Sequence, residues 1–266
     1  MTTDRSHGLG ELTWFAETVI RELGDEALSF YGKGKTHLKF DDELVTQAEV
    51  HLVDRFEKKI ALQFPSHQVY RNNKKMDDYR TGEQTFLWVF DAIDGVANFQ
   101  AGIPLWGISL SIIENFWPVF GAFYMPATGD FFHAVGGSKA YLGQKEIHIS
   151  EQESINNESL LLTYSRFHQN FNSNFPGKIR NLGCTAAHIC YVAMGSAEAA
   201  VVANESYQNL AAVQIIIESA GGKIYPMDGS EFYLNDHLSE GRIEKPLLIV
   251  SPDNRAEVLD YIREIF

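Results

Sequence analysis

Residues 88–99 read WVFDAIDGVANF: an apolar run ends in two acids three apart, Asp91 and Asp94, and Gly95 follows at once. The run belongs to FLWVFDAI (86–93), which is rich in aromatic and β-branched residues and reads as a buried strand. A turn through Ile93 would aim both carboxylates at one point, and Gly95 permits a positive φ or a close backbone approach. Two readings of the string stand side by side. Converging carboxylates are the hard oxygen donors that a divalent cation takes. The alternative is an Asx turn, in which Asp94 and Asn98 bond local backbone.

Upstream, residues 11–30 place Leu12, Phe15, Val19, Ile20, Leu23 and Leu28 at near-helical spacing, and residues 43–63 repeat the pattern with Val45, Val50, Leu52, Val53, Phe56, Ile60 and Leu62. The spacing predicts two opening helices. Downstream, WGISLSII (106–113), PVFGAFYM (118–125) and DFFHAV (130–135) are short, β-rich and separated by Gly, Pro or Asn, the texture of an antiparallel meander. From about residue 150, strand-like LLLTY (160–164), AEAAVV (197–202) and KPLLIVSP (245–252) alternate with helical 185–194, 207–219 and 253–266, as in a layered α/β half. The expected organisation is an N-terminal α+β half over 1–150 and a C-terminal α/β half over 151–266, joined in one compact unit. SEQESINNES (150–159) is the linker between them.

The chain has 266 residues, 45% hydrophobic and 12% aromatic, so it can bury a core and is not intrinsically disordered. A net charge of −13 argues against an extensive nucleic-acid surface. Two cysteines, Cys184 and Cys190, cannot build a disulfide scaffold or a four-thiolate zinc site. There is no signal-peptide pattern and no apolar run of membrane-spanning length, so the expected compartment is the cytoplasm.

A second string, SYQNLAAVQIIIESAGGKI (206–224), sets polar Gln208 and Asn209 before a small-residue, apolar helix closed by Gly221-Gly222. Asn is a favoured N-cap, and such a position also faces a helix end that attracts phosphate. The two strings, in this order and about 115 residues apart, resemble the inositol monophosphatase family. Trp88 to Phe99 follow the family's Trp-x-x-Asp-Pro-Ile-Asp-Gly-Thr-x-Asn-Phe except at Ala92 and Val96. Gln208-Asn209-Leu210-Ala211-Ala212 and Glu218-Ser219-Ala220-Gly221-Gly222 correspond to its Trp-Asp-x-Ala-Ala and Glu-Ala-Gly-Gly. Leu44-Val45-Thr46, Phe64-Pro65-Ser66-His67 and Val192-Ala193-Met194-Gly195-Ser196 also match. The resemblance covers nearly the whole chain. It implies a layered α-β-α-β-α sandwich that is usually dimeric and hydrolyses small phosphomonoesters with Mg²⁺.

Departures from the family pattern fall on its chemistry. The family's Gly-Glu-Glu, whose acids bind metal and help activate water, is matched by Arg71-Asn72-Asn73. Its third ligand Asp is matched by Asn209, its water-orienting Thr by Val96 and a substrate-contacting Glu by Val202. Asp91, Asp94 and the Ile93 carbonyl remain of the metal shell. Gly95, Val96, Cys184, Thr185 and Val202 fall on substrate-binding positions. A carboxylate about 4 Å from a divalent ion gains several kcal/mol even at an effective dielectric near 20, before desolvation is subtracted. Three such carboxylates are replaced, so Mg²⁺ is expected to bind weakly or not at all.

The expectation is a catalytically impaired or inactive homologue, a pseudoenzyme with a binding or regulatory role and a small polyol or phosphate as ligand. The alternative is a weak or respecialised Mg²⁺-dependent phosphatase. It requires a replacement acid, and Asp77 or Asp78 after Asn73 is the nearest supply. Gly34-Lys35-Thr36 lacks the first glycine of a phosphate-binding loop and reads as a surface turn. The nine histidines show no i, i+4 helical pair, and the two cysteines read as small buried residues. Trp106, Phe116, Trp117, Phe120, Phe123 and Tyr124 crowd the meander as core, with a homodimer face as the second reading.

Overall fold

Two amphipathic helices, α1 (Leu9–Leu28) and α2 (Asp42–Gln63), open the chain where apolar residues recur every three to four positions. The structure is a computed structural model that describes residues 8–33, 42–71 (backbone alone for 42–45), 79, 86–152, 154–238 and 241–265. Helix α1 buries Leu12, Val19, Ile20 and Leu23, and α2 buries Leu52, Phe56 and Ile60. Both faces lie against one side of the first sheet.

That sheet runs in sequence order: β1 (Gln68–Val69), β2 (Phe86–Asp94), β3 (Gly107–Glu114), β4 (Trp117–Met125), β5 (Asp130–Val135), β6 (Ala140–Leu142) and β7 (Lys145–Ile147), with α3 (Val96–Ala101) between β2 and β3. The β1–β2 pair is parallel and the rest antiparallel, so the expected meander is present. Its strands read as nearly continuous apolar runs because both faces are covered. On β2, Phe86, Trp88 and Phe90 pack with α1 and α2, while Leu87 and Val89 enter the core on the other side.

The second half supplies β8 (Leu160–Thr163), α4 (Phe167–Asn170), β9 (Phe171–Ser173), β10 (Lys178–Arg180), α5 (Thr185–Ala193), β11 (Ala199–Val202), β12 (Glu205–Ser206), α6 (Tyr207–Ser219), β13 (Lys223–Pro226), β14 (Arg242–Ile243), β15 (Leu247–Val250), α7 (Arg255–Asp260) and β16 (Ile262–Glu264). Its five-stranded sheet has the order β10-β8-β11-β15-β13. Helices α5 and α6 lie between the two sheets: Phe123 and Phe132 of the first share a core with Ile189, Ile216, Val202 and Ile249. The far face of the second sheet packs on α4 and α7 through Leu161, Val201, Phe167 and Val258. The layering is α-β-α-β-α. The helix expected over 253–266 is corrected: it spans six residues, and Ile262–Glu264 pair antiparallel with β9 instead. Free backbone groups on a sheet edge recruit a segment whose apolar spacing also suits a helix. Among the described residues no helix is long and apolar enough to cross a membrane.

Two buried contacts hold the middle layer in place. A Cβ added at Gly121 on β4 would lie 2.1 Å from the Ala212 carbonyl oxygen of α6, so strand and helix backbones touch there. The buried His188 of α5 accepts the Leu182 N–H at Nε2 (2.9 Å), fixing the turn that leads into the helix. Gly121→Ala is expected to cost about 3 kcal/mol by overpacking, with Gly10→Ala, in open space on α1, near neutral. Urea denaturation compares them. Burial lowers the His188 pKa to about 4 from 6.5, so the unfolded chain takes up the proton first. Its contribution is fully present above pH 6.5 and is lost as pH falls toward 4, by on the order of 3 kcal/mol. In urea titrations from pH 7 to 4, His188→Gln is expected to remove that part of the acid destabilisation.

Candidate functional site

Strand alternation places Asp91 on the same face as Leu87 and Val89, the face that α6 covers. A residue three positions on would point the other way. Asp91 pairs with Ser109 and Asp94 with Gly107, so three steps along β2 match two along β3. This one-residue bulge returns Asp94 to the face of Asp91. Gly95 then turns the chain with φ +84°, and a Cβ there would meet the Leu105 carbonyl oxygen at 2.9 Å. Both roles expected of this glycine are present.

The two acids serve different helices. Asp94 Oδ2 accepts the Ala186 N–H at 2.6 Å, in the first turn of α5, and lies 3.1 Å from the buried Cys184 Sγ. Cys184 is the N-cap of α5 but makes no capping bond with its side chain, so a carboxylate from another sheet serves that helix end. Asp91 accepts from the Ser206 hydroxyl at 3.4 Å and from the Ile93 backbone N–H. The Asx-turn reading of Asp94 and Asn98 is corrected. Asp94 reaches across the fold, and Asn98 Nδ2 ties the carbonyls of Leu105 (2.6 Å) and Leu182 (2.7 Å).

Asn209 is not the cap of α6. Ser206 is, accepting the Asn209 N–H at 3.0 Å, because a hydroxyl one residue before the helix reaches the third helical amide. The buried Asn209 side chain accepts from Ser109 Oγ at 3.3 Å and places Nδ2 3.5 Å from Glu205 Oε2. Glu205 Oε1 accepts from the Thr185 hydroxyl at 2.7 Å. Sequence reading missed Glu205, which reaches the site because β12 places it before α6, beside Thr185 and Asn209. Burial, then Asp94 and Asp91, push the Glu205 pKa up to about 8. Burial, then Asp94 and Glu49, push Asp91 up to about 7. Near neutral pH Asp91 and Glu205 therefore do not both carry full charge.

Of the other positions read from sequence, Val96 is partly buried against the core of the first helices, and Val202 is fully buried at the end of β11. Cys190 is buried behind the site. Asn72, Asn73, Asp77, Asp78 and Gly34-Lys35-Thr36 lie outside the described residues. Among the described residues no three His, Cys, Asp or Glu side chains group as they would around a metal ion. Mg²⁺ demands near-ideal octahedral geometry. The oxygens of Asp91, Asp94, Glu205 and Asn209 are of suitable type, yet each residue is engaged by a protein donor or faces one. Of these, Asp91 and Asp94 are each held through Oδ2, and they are the residues through which the pocket would hold a magnesium ion.

Residues 9–253 match the inositol monophosphatase family. Similar curated proteins include inositol monophosphatase 1 of Solanum lycopersicum, 27% identical with 86% of this chain and 89% of that protein covered. Fructose-1,6-bisphosphatase/inositol-1-monophosphatase of Thermotoga maritima is 28% identical, with 89% and 94% covered. Inositol monophosphatase II of Staphylococcus aureus superposes with a TM-score of 0.76 at 22% identity, over 94% and 95% of the two chains, a likeness of fold. Over nearly its whole length, from the helix before the first sheet to the turn after the last strand of the second, the chain belongs to the inositol monophosphatase family.

Proposed function

We propose that this family member has lost ordinary phosphomonoesterase turnover and uses the pocket around Asp91, Asp94, Glu205 and Asn209 to bind a small hydroxyl-rich ligand. The observation that carries this reading is the engagement of those side chains by protein groups, Ala186 N–H, Ser206, Thr185 and Ser109 among them. A polyol can donate hydroxyls to the remaining carboxylate lone pairs and leave these bonds intact. Val96 offers no hydroxyl to orient a water. A binding or regulatory role in the cytoplasm, as a homodimer of the kind the family favours, belongs to the same proposal.

One observation favours the second reading, a respecialised Mg²⁺-dependent phosphatase of inositol phosphates or related monoesters. Glu205 places an acid beside Asn209, where the family pattern carries a carboxylate. Phosphate release from inositol 1-phosphate and from sugar and nucleotide monophosphates at millimolar Mg²⁺ separates the two. The native protein is expected to stay at background, and Asn72→Glu/Asn73→Glu/Val96→Thr/Asn209→Asp to gain about 100-fold or more. Native turnover that disappears in Asp91→Asn or Glu205→Gln would establish the second reading instead.

A further inference from the structure

The hairpin between β3 and β4 turns through two residues, Asn115 (φ +50°) and Phe116 (φ +69°), with Glu114 paired to Trp117. Such turns place glycine where Phe116 stands, since a bulky side chain at positive φ is strained. The Phe116 ring packs on the central core, which offsets that strain. The consequence is that Trp117 is held outward, 62% exposed, beside Tyr233 at 56%.

These two rings border a cavity of about 140 Å³, room for about five water-sized groups. Its polar lining holds two buried acceptors with no donor among the described residues. Gln214, on the first-sheet face of α6, is 9% exposed and gives its Nε2 to Glu218 at 2.8 Å, which leaves Oε1 as the free end of the amide. That oxygen is buried with no donor among the described residues, and so is Asn235 Oδ1 on the same wall. Buried carbonyl acceptors are seldom left unpaired, so two in one cavity ask for a ligand rich in N–H groups. Charge points the same way. Lys223 is paired with Glu231 at 2.6 Å, and Glu218, the other acid of the lining, accepts from Gln214 and has no cation at ion-pair distance among the described residues.

We propose that this cavity is a second ligand site and that it takes a guanidinium group. A guanidinium carries five N–H donors, holds one positive charge in a plane that stacks on indole and phenol faces, and is less hydrated than an ammonium. Trp117 and Tyr233 supply the faces, Gln214 and Asn235 the acceptors and Glu218 the counter-charge. The site is separate from the acid pocket: Glu218 lies nine residues beyond Asn209 on α6, about 13 Å along the helix. It does not depend on the function proposed for that pocket.

The test follows the indole ¹H–¹⁵N signal of Trp117, assigned with Trp117→Phe, during titration of the intact protein. Methylguanidinium and the capped peptide acetyl-Gly-Arg-Gly-amide are the probes; the tighter of the two tells a free small molecule from a partner's arginine. Saturable shifts are expected, with affinity about tenfold lower in Glu218→Gln, in Gln214→Leu and for methylammonium on the native protein. Trp117→Ala, at an exposed turn, is expected to lose about tenfold by calorimetry with its melting temperature unchanged, and keeps the test open if a buried variant fails to fold. An immobile Trp117 signal, equal affinity for methylammonium, or variants that bind as the native protein does would overturn the proposal.

Discussion

The Asp94 carboxylate on the Ala186 N–H, at 2.6 Å, joins the end of a strand in the first sheet to the start of a helix in the middle layer. The first-turn amides of α5 have no partner within the helix, and its own N-cap, Cys184, contributes none. A carboxylate imported from β2 fills that need, and the favourable interaction with the helix dipole holds it there. Around this contact the fold closes: Asn98 grips the loop before α5, His188 accepts from the same loop, and Gly121 lets α6 lie flush on β4.

The same contact shapes the chemistry. In a metal site, the cation neutralises crowded negative charge. Here the acids are satisfied by the protein: Asp94 by a backbone amide, Asp91 by Ser206 and Ile93, Glu205 by Thr185 beside Asn209. Where charge remains in excess, burial and mutual repulsion raise the affinity of Asp91 and Glu205 for protons. An Asn in place of an Asp at 209 fits this arrangement, since its amide can face Glu205 and accept from Ser109 at once.

Much of this was legible in the sequence because period and punctuation were strong. Apolar spacing located α1 and α2, β-rich runs broken by Gly and Pro located the meander, and WVFDAIDGVANF located the paired acids. What stayed hidden depends on register and distant contacts. The bulge that brings Asp91 and Asp94 to one face is visible only once β2 is paired with β3. Glu205 belongs to the site because β12 returns it beside Thr185, not because of a motif. The last strand was read as helix because LDYIREIF carries apolar residues at both spacings, and the free edge of β9 decides between them. Ser206 outcompeted Asn209 as cap by a matter of position in the first turn.

The central claim is that this pocket satisfies its acids internally and does not hold the catalytic magnesium. Calorimetric titration of the native protein with MgCl₂ tests it most directly, with Asp91→Asn beside it as the control. The account predicts no saturable site tighter than about 10 mM, and the same trace for both proteins. A site saturating below about 1 mM in the native protein and absent from Asp91→Asn would contradict it.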